Sequence, residues 1–450
     1  MIELIRRVAE SAGDREAIVT GQVTTYAALL ARSEAAAAAL AGRGVTRFAI
    51  ADHEAEVVLP LLAAASAIGA EACVLPPDPP AVLAELLGRF EQPVLVTDRA
   101  DLADLEVTAY SSTELFGAPA AIGTETAPAR PHLVLTTGTT GAPRGVRHDW
   151  ARLLRGVRRV QPAPDERWLL AYGLHQFAGL QILLHVLAAG ATLVAPAPRR
   201  PREGLAAMRE HHVSHASATP TYWRFLLAEL TSDGGAVPQL QQITLGGEAI
   251  PGPLLAQLRG TFTQARVSQV YAGSEFGSTG STRDGRAGLP ASVLNRPEDA
   301  DVAFRIDDGE LWIRSRTGML GYYGEPPVDP DGWRATGDLV DLDGDRIVFR
   351  GRASDIINVG GVKVHPLPIE ERVAAVSGVA LARVYGRPNA MTGTIVAVEA
   401  VATPGADPDL VKNAIRDACA DLPDAARPRS VRIVDEITTA GGKIVRRTDV

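Results

Sequence analysis

The chain has little cysteine, little lysine and no uninterrupted apolar run of membrane-spanning length, and each scarcity excludes a class of protein. Its 450 residues include two cysteines, Cys73 and Cys419, and neither lies in a Cys-x-x-Cys or other metal-like spacing. The pair predicts neither a disulfide framework nor a thiolate metal site, and it suits a reducing compartment. The longest apolar tract, near residues 168–195, is interrupted by polar side chains, and residues 1–7 carry an acid and two arginines where a signal peptide would be apolar. We expect no membrane span and a cytoplasmic location.

Cations are outnumbered by anions, and nearly all of them are arginine. The chain has 45 basic and 53 acidic residues, a formal net charge of −8, and no basic face or tail dominates. This balance argues against a nucleic-acid partner. Only Lys363, Lys412 and Lys443 are lysines. A lysine at any particular position is therefore uncommon in this chain.

The pattern of apolar residues predicts an α/β fold. With 46% apolar residues the chain can bury a large core, and its length predicts two or three domains. Residues 26–42 are rich in helix formers and end in glycine, which predicts a helix. Short β-prone runs separated by helical stretches predict mostly parallel sheets covered by helices; these runs are Phe48–Ala51, Pro93–Thr97, His132–Thr136, Ala191–Ala195 and Gln242–Gly246. Further on, Asp343-Gly344-Asp345 predicts a hairpin turn between Leu339–Leu342 and Arg346–Arg350.

The segment Leu135–Val146 has the composition of a phosphate-binding loop. It contains three glycines and four threonines and includes Arg144. Glycines let successive backbone N–H groups turn toward an anion, threonine hydroxyls add donors, and the arginine adds a fixed charge. No Gly-Lys-Ser/Thr ends the segment, so it is not a Walker A loop. Such a composition is also typical of an exposed turn, and the loop alone leaves both interpretations open.

Five later segments follow this loop in order and identify a family resemblance. They are Gly246-Gly247-Glu248-Ala249, Tyr271-Ala272-Gly273-Ser274-Glu275, Thr336-Gly337-Asp338, Gly351-Arg352-Ala353-Ser354-Asp355 and Gly442-Lys443. With the loop, they resemble the core motifs of the adenylate-forming superfamily, which contains acyl-CoA synthetases, adenylation domains of nonribosomal peptide synthetases, and luciferases. The ordered set extends over residues 133–447, so chance assembly is implausible.

The resemblance implies a site for ATP and Mg²⁺. It places the loop and Arg144 at the β- and γ-phosphates, Glu275 on the metal, and Asp338 on the ribose hydroxyls, with Lys443 bridging the substrate carboxylate and the α-phosphate. Arg352 would add a donor to the ribose or a phosphate. Lys443, Glu275 and Arg144 are the implied catalytic residues. The implied ATP-binding residues are Thr136, Thr137, Gly138, Thr139, Thr140, Gly141, Arg144, Gly246, Gly247, Glu248, Tyr271, Ser274, Glu275, Asp338, Arg352 and Lys443.

Several of these residues also have an ordinary structural interpretation. Lys443 would then be an exposed lysine of the tail, and Glu275 a solvated or helix-capping carboxylate. Tyr271, which the resemblance stacks on adenine, would be a strand-end aromatic in the core. The scarcity of lysine argues against the first of these alternatives.

The resemblance places the acyl pocket along Tyr172–Leu180. The implied substrate-binding residues are His175, Phe177, Gly179, Thr219, Gly246, Ala272 and Gly273. His175 and Phe177 match a gate at the pocket mouth, and core positions are an equal alternative for both. Tyr172–Leu180 contains no acid to pair with an α-ammonium group, which disfavours amino acids and favours a neutral-tailed or aromatic carboxylic acid. The stretch from His175 also resembles that of o-succinylbenzoate–CoA ligases.

The resemblance further implies a mobile C-terminal lid. Residues 351–355 match the family's hinge, with Ser354 at its pivot. We therefore expect a large N-terminal domain over 1–350 that binds ATP and the acid, and a small α+β lid over 356–450. After presenting Lys443, the lid would rotate and present a second face, where Gly360 and Gly361 let a pantetheine arm pass.

The implied reaction is activation of an aryl or small to medium acyl carboxylic acid to acyl-AMP, with release of pyrophosphate, followed by transfer to the thiol of CoA. A first alternative is a stand-alone enzyme that loads the phosphopantetheine of an acyl or peptidyl carrier protein. A second is transfer to another acceptor, such as an amine, and a third is a non-catalytic nucleotide binder. We expect a monomer or homodimer with no nucleic-acid or membrane partner.

Overall fold

The computed structural model describes residues 1–119, 131–136, 143–403, 405–440 and 443–444. Over these ranges the chain alternates helices and strands up to about residue 275 and is mainly β-structured from there to residue 364. The helices are α1 (Ile2–Ala12), α2 (Tyr26–Gly42), α3 (Ala55–Ile68), α4 (Pro80–Arg89), α5 (Ser112–Phe116), α6 (Trp150–Arg155), α7 (Phe177–Ala189), α8 (Pro201–Glu210), α9 (Pro220–Asp233), α10 (Gly252–Thr261), α11 (Pro366–Ala374) and α12 (Pro408–Ala418).

The strands form four sheets and two short hairpins. They are β1 (Glu16–Val19), β2 (Val23–Thr25), β3 (Arg47–Ile50), β4 (Glu71–Val74), β5 (Val94–Val96), β6 (Thr108–Tyr110), β7 (His132–Thr136), β8 (Arg144–His148), β9 (Arg167–Leu170), β10 (Thr192–Val194), β11 (His215–Ala218), β12 (Gln242–Gly246), β13 (Arg266–Gly273), β14 (Gly277–Thr282), β15 (Leu289–Pro290), β16 (Val302–Asp307), β17 (Glu310–Ser315), β18 (Gly321–Tyr322), β19 (Arg334–Asp343), β20 (Arg346–Arg352), β21 (Ile357–Val359), β22 (Val362–Val364), β23 (Val379–Asn389), β24 (Gly393–Ala402), β25 (Ser430–Ile433), β26 (Thr439–Ala440) and β27 (Lys443–Ile444).

Two mostly parallel sheets form the framework. The eight-stranded sheet has the order β14-β13-β12-β11-β9-β10-β1-β2, and the seven-stranded sheet has the order β18-β8-β7-β4-β3-β5-β6. In each sheet antiparallel pairing is confined to the strands at the ends of the order. This arrangement confirms the predicted fold class, and each predicted β-prone run overlaps a strand of these sheets.

Neighbouring residues of a strand point to opposite faces of the sheet and pack into different hydrophobic cores. Phe48 and Ile50 of β3 pack into a central helix layer that also receives Leu170 of β9, whereas Ala49 faces a second core beside α4. Leu169 of β9 faces a third core with α8, α9 and α10. Because neighbouring residues of a strand point to opposite faces, these assignments show a helix layer between two sheets and helices on both outer faces.

The predicted helix over 26–42 is α2, and the sequence shows why it begins there. Thr25 is in an extended conformation, and its hydroxyl accepts a hydrogen bond from the N–H of Ala28, which caps the first turn. Tyr26, fully buried, donates its hydroxyl proton to the carbonyl of Ala191 at 2.7 Å. The alanine-rich helix thus packs tightly in the central layer.

Two smaller units follow. An antiparallel sheet has the order β15-β20-β19-β17-β16, and its β19–β20 hairpin turns at Asp343–Arg346. The predicted hairpin is confirmed, with longer strands than expected. A C-terminal sheet of β23, β24 and β25 packs its own core against α11 and α12. None of the helices in the described ranges is long and apolar enough to cross a bilayer.

Two histidines face each other across β7 and β8 in the buried framework. His132 pairs with His148, and both are almost fully buried. Burial lowers the pKa of His132 to about 4 and the pKa of His148 to about 3. The ring of His148 stacks on Phe177 with centroids 4.9 Å apart. Both histidines are therefore neutral in the folded protein at neutral pH.

Acid should destabilise the fold through these histidines. Between pH 6.5 and about 4 the unfolded chain binds protons on them while the folded chain does not, so the free energy of unfolding should fall as the pH falls. His148→Phe should reduce that fall by about 3 kcal/mol, since each pKa unit is worth roughly 1.4 kcal/mol and the proton is bound only in the unfolded chain over about 2.5 pH units. Urea unfolding across this range measures the effect. His212→Asn, at an exposed histidine, is the control, and an unchanged pH dependence in His148→Phe would contradict the assignment.

Candidate active site

Most of the predicted site segments lie at the carboxyl ends of parallel strands. Gly246 ends β12, and Tyr271–Gly273 ends β13. Thr136 ends β7, and Tyr172 follows β9. In open α/β sheets this edge is where ligands bind. Of the predicted loop residues, Thr137, Gly138, Thr139, Thr140 and Gly141 lie outside the described ranges.

Asp338 is a buried carboxylate shared by two sheets. Its side chain is 13% exposed and accepts hydrogen bonds from the Tyr271 hydroxyl at 2.5 Å and from Nε of Arg352 at 3.2 Å. Asp338 and Arg352 are directly paired across β19 and β20, whereas Tyr271 belongs to β13 of the eight-stranded sheet. Burial raises the pKa of Asp338, and Arg352 opposes that shift. The structure thus brings these three predicted residues together around one acceptor.

The ring of Tyr271 packs against other aromatic rings. It stacks on Phe276, with centroids 5.7 Å apart, and lies tilted against Phe349 at 5.2 Å. Burial, reinforced by Asp338, raises the pKa of Tyr271, so its hydroxyl keeps its proton and acts as a donor. Tyr271 is therefore both a core aromatic residue and a hydrogen-bond donor to Asp338, the residue predicted to bind the ribose. Stacking on adenine stays a prediction.

Glu275 and Arg144 both contact Tyr322. The Tyr322 hydroxyl donates to Oε1 of Glu275 at 3.2 Å, and the Arg144 guanidinium lies 3.3 Å from the centroid of the Tyr322 ring. Thr136, before the loop, donates its hydroxyl proton to the Arg144 carbonyl at 3.4 Å. Arg144 also forms an ion pair with Glu325 at 2.6 Å, but both side chains are substantially exposed. Such a pair is weak in water, so Arg144 could exchange Glu325 for a phosphate at little cost.

Glu275 fits a Mg²⁺ site in which most of the metal ligands are phosphate oxygens of a nucleotide and water. No group of three or more potential protein ligands occurs within the described residues. Mg²⁺ commonly binds one or two carboxylates and completes its shell with phosphate oxygens and water. Glu275, a carboxylate near the Arg144 end of the predicted phosphate loop, matches that pattern.

Arg334 is a candidate residue that the motifs did not indicate. It begins β19, four residues before Asp338, and its three side-chain nitrogens are buried with no hydrogen-bond partner among the described residues. A Cβ atom placed on Gly318 would lie 3.0 Å from Nη2 of Arg334 and 2.8 Å from the carbonyl of Glu275, so these groups are neighbours. A buried guanidinium without partners is costly unless a ligand satisfies it. The Arg334 guanidinium, which lies beside Glu275, is therefore a candidate binding group for an anionic ligand.

Glu248 joins α9 to the C-terminal hairpin of β26 and β27. Its carboxylate accepts from the N–H of Thr221 at 2.9 Å and from the Thr221 hydroxyl at 3.0 Å. It also accepts from the backbone N–H of Ile444 at 3.2 Å. Lys443 immediately precedes Ile444 in β27; its side chain lies outside the described part of the structure. The contact brings the backbone of the predicted catalytic lysine to the segment Gly246-Gly247-Glu248.

A small cavity of about 30 Å³ lies beside this contact. Arg224 and Glu248 line it from one side, and Glu370 and Glu371 of α11 line it from the other. Burial lowers the pKa of Arg224 and raises the pKa of Glu371. The cavity therefore places charged groups, together with apolar ones such as Leu367 and Ile444, between the predicted large domain and the C-terminal region. Polar groups are expected between surfaces that separate.

The predicted acyl-pocket residues lie at or after the carboxyl ends of β9, β11, β12 and β13. His175 lies in the loop between β9 and α7, whereas Phe177 is buried against His148 in the central core. Gly179 lies in α7, where an added Cβ would come within 2.3 Å of the Gly173 carbonyl. Thr219 is buried, and its hydroxyl accepts from the N–H of Tyr222 at 3.1 Å as the cap of α9.

The remaining pocket and nucleotide residues lie beside Gly246. An added Cβ on Gly246 would lie 3.9 Å from the Tyr172 hydroxyl. Ala272 and Gly273 end β13, and Ser274 follows them. Gly247 directly follows β12. These positions border the same sheet edge, and their ligand contacts stay predictions.

The predicted hinge and pantetheine residues have local structural reasons for their identity. The Ser354 hydroxyl donates to Oδ1 of Asp355 at 2.9 Å. Gly360 and Gly361 form the two-residue turn between β21 and β22, with φ of +54° and +89°. A turn with positive φ at both positions favours glycine, and Asn358 accepts from the N–H of Gly361 at 3.0 Å. Their roles as pivot and pantetheine contact stay predictions.

The candidate residues lie at the carboxyl ends of parallel strands, the edge where ligands bind in open α/β sheets. Comparison with known proteins identifies the family. The model of the AMP-binding enzymes matches residues 5–323, and that of the AMP-binding enzyme C-terminal domain matches residues 368–443. The chain belongs to the AMP-binding enzyme family, which confirms the predicted membership of the adenylate-forming superfamily. The predicted hinge at 351–355 lies between the two matched ranges, and the domain boundaries stay predictions.

Individual relatives support the same placement. The chain is 28% identical over 327 residues to a methyl-dioxo-octahydroindenyl-propanoyl:CoA ligase of Mycobacterium tuberculosis, covering 69% of this chain and 64% of the relative. It is 27% identical to a fatty acid–acyl-carrier-protein ligase of Mycobacterium marinum, covering 70% and 66%. It thus spans slightly less than two thirds of the length of these curated relatives. A structure of an anthranilate CoA ligase in complex with anthranoyl-AMP superposes with a TM-score of 0.83 at 21% identity, covering 98% of this chain and 95% of that one, which shows the shared fold.

Loss of the Tyr271 hydroxyl should weaken nucleotide binding. Tyr271→Phe removes a donor that holds the Asp338 carboxylate, so AMP should bind about 10-fold more weakly, the value of one hydrogen bond to a charged group. Isothermal titration of AMP measures the change. Tyr323→Phe is the matched control, because its hydroxyl also donates to a carboxylate, that of Glu91, at 2.7 Å. Equal affinities in wild type and Tyr271→Phe would show that Tyr271 does not position Asp338.

Proposed function

We propose that the protein is an AMP-forming carboxylate–CoA ligase. The observation that supports this most strongly is the convergence of Asp338, Arg352 and Tyr271 at one buried carboxylate, with Glu275 and the Arg144 end of the loop at the neighbouring strand ends. This is the arrangement expected of a site that binds ribose and polyphosphate side by side.

The first half-reaction joins two anions. A carboxylate oxygen of the acid attacks the α-phosphorus of ATP, the bond from that phosphorus to the bridging oxygen breaks, and pyrophosphate leaves. Catalysis is then chiefly positioning and charge neutralisation. Arg144 and Arg334 would neutralise the leaving pyrophosphate. Glu275 would hold a Mg²⁺ ion, which supplies further positive charge to the phosphates.

Lys443 would neutralise the charge that converges between the carboxylate and the α-phosphate. A compact ammonium fits beside a trigonal-bipyramidal phosphorus better than a planar guanidinium does. Glu248 would hold the hairpin that carries Lys443 in this position through the N–H of Ile444.

The second half-reaction transfers the acyl group to a thiol. The thiolate attacks the acyl carbonyl carbon of the adenylate, the bond from that carbon to the phosphate oxygen breaks, and AMP leaves. Rotation of the C-terminal region about residues 351–355 would withdraw Lys443 and bring Gly360 and Gly361 to the acyl group.

The acceptor has one specific alternative. One of the two relatives described above is a ligase for CoA and the other is a ligase for an acyl-carrier protein. Both acceptors present a phosphopantetheine thiol. Loading of a carrier protein is therefore the second candidate, and the same activation step would precede it.

The proposal is tested by pyrophosphate release from ATP across a panel of aryl, short-chain and medium-chain acids, with and without CoA, and with products identified by mass spectrometry. A thioester that forms only with CoA establishes the ligase. Pyrophosphate release without CoA thioester would favour a carrier protein or another acceptor. Absence of pyrophosphate release with every acid would refute the proposed activity.

Replacement of Lys443 should separate the two half-reactions. Lys443→Ala should slow pyrophosphate release about 10²-fold, the value of one transition-state donor, while leaving thioester formation from a chemically prepared acyl-AMP nearly unchanged. Lys412→Ala, which removes a lysine of α12, is the control. Equal loss in both half-reactions would show that Lys443 has another role.

Glu248→Gln should weaken the docking of the same hairpin. Glutamine keeps the size but presents an amide N–H₂ toward donors, so pyrophosphate release should slow about 10-fold, in line with the loss of one or two charge-assisted hydrogen bonds. The affinity for AMP should change less than twofold. Glu371→Gln, on the opposite side of the cavity, is the control. A large loss of AMP affinity in Glu248→Gln would indicate an adenine contact instead.

A further inference from the structure

A polar cluster lies at the meeting of three strand ends, and two of its three members, His53 and Arg199, have no role in the reaction described so far. His53 lies between β3 and α3, His175 between β9 and α7, and Arg199 between β10 and α8. Each loop follows the carboxyl end of a strand paired in parallel. The two imidazole rings meet edge to face with centroids 6.5 Å apart, and the Arg199 guanidinium donates to the carbonyl of His53.

Each member of the cluster has an unsatisfied polar atom. Nε2 of His53, Nδ1 of His175 and Nε of Arg199 are buried, and none has a hydrogen-bond partner in the part of the chain that the structure describes. Leaving a buried polar atom unpaired costs free energy each time. Three such atoms in one place indicate a site that a ligand completes.

The imidazole of His175 lies close over the backbone of Gly173. An added Cβ on Gly173 would lie 2.5 Å from Cε1 and 2.8 Å from Nδ1 of His175. A larger residue at position 173 would therefore push the imidazole away from the place that it occupies in the cluster.

The charges of the cluster favour a neutral ligand atom. Burial lowers the pKa of His53 and of His175 to about 4, so both rings are neutral at neutral pH. Burial also lowers the pKa of Arg199, an effect opposed by Glu54, Glu56 and Asp52. Because these three acids already face the Arg199 guanidinium, a further anion would gain little from that charge. A neutral acceptor could take the Arg199 Nε–H and an imidazole N–H without changing the charge balance.

The chain itself links the cluster to the predicted acyl pocket. Tyr172, whose hydroxyl lies near Gly246, is three residues before His175. Three residues span at most about 10 Å, so the backbone of His175 lies within that distance of the backbone of Tyr172. Because His175 also belongs to the predicted acyl pocket, the tail of the acid would extend toward the cluster.

We propose that His53, His175 and Arg199 recognise a neutral carbonyl oxygen at the end of the acid remote from its carboxylate. This inference rests on the proposed function and narrows the acid to an oxo-acid or a similar carbonyl-bearing acid. It adds His53 and Arg199 to the residues expected to determine specificity.

Matched acids test the proposal. Pyrophosphate release is measured with 7-oxooctanoate, its apolar counterpart 7-methyloctanoate and the dianion octanedioate, and with 4-acetylbenzoate, 4-isopropylbenzoate and terephthalate. The wild type should favour the better oxo-acid over its apolar counterpart at least about 10-fold in kcat/KM, because a site with buried donors discriminates against an analogue that leaves them unpaired. Arg199→Met and His53→Phe should each reduce that ratio to about one.

Arg200→Met, at the exposed neighbouring arginine, is the matched control and should keep the wild-type ratio. Thermal melting shows whether each variant is folded, and either of the two site variants is sufficient for the comparison. Equal efficiency with oxo and apolar acids, or an unchanged ratio in both site variants, overturns this inference while leaving the ligase intact. A preference for the dianions overturns it in favour of an anion site. No pyrophosphate release with any acid contradicts the proposed function itself.

Discussion

The buried carboxylate of Asp338 connects parts of the protein that are built separately. It lies on the antiparallel sheet, yet its shortest contact is with Tyr271 of the eight-stranded sheet, and its second is with Arg352, which lies within the predicted hinge at 351–355. Without these donors the carboxylate would be desolvated and unpaired, which is costly. The three residues therefore fix the edge of the large framework, the antiparallel sheet and the start of the C-terminal region relative to one another.

The charged residues near Asp338 are arranged as the proposed reaction would require. Cations gather where the phosphates would lie, with Arg144 over Tyr322 and Arg334 buried beside Glu275. The tail of the acid would meet neutral imidazoles and an arginine whose charge is already balanced. The hairpin that carries Lys443 is held by a hydrogen bond from the backbone N–H of Ile444 to the Glu248 carboxylate, beside a small cavity lined by Arg224, Glu370 and Glu371. A contact of this strength is suited to a part of the enzyme that must dock for one half-reaction and leave for the next.

Local patterns predicted the framework and the motif residues well. α2 followed from an alanine-rich run, and the β19–β20 hairpin followed from Asp-Gly-Asp, because both depend on neighbours in sequence. Asp338, Arg352 and Tyr271 could be predicted to converge because family motifs carry them. The family motif predicts that Tyr271 stacks on adenine. It does not predict the packing of Tyr271 against Phe349, which is 78 residues later in the sequence.

What the sequence could not indicate depends on long-range contacts. Glu248 reaches Ile444 across 196 positions, and no local pattern marks either residue as a docking point. Arg334 and Arg199 are two among many arginines in a chain that contains only three lysines, so composition hides them. Both have buried guanidinium nitrogens without a hydrogen-bond partner among the described residues, and burial is a property of the fold.

The central claim, that a carboxylate oxygen attacks the α-phosphorus of ATP, is tested most directly by following that oxygen. The acid that supports the fastest pyrophosphate release is labelled with ¹⁸O in its carboxylate, and the nucleotide product of a complete reaction with CoA is examined by mass spectrometry. The account predicts AMP that carries one ¹⁸O atom, because the bond between the acyl carbon and that oxygen breaks in the second half-reaction. Unlabelled AMP, or label found in inorganic phosphate together with ADP, would contradict it.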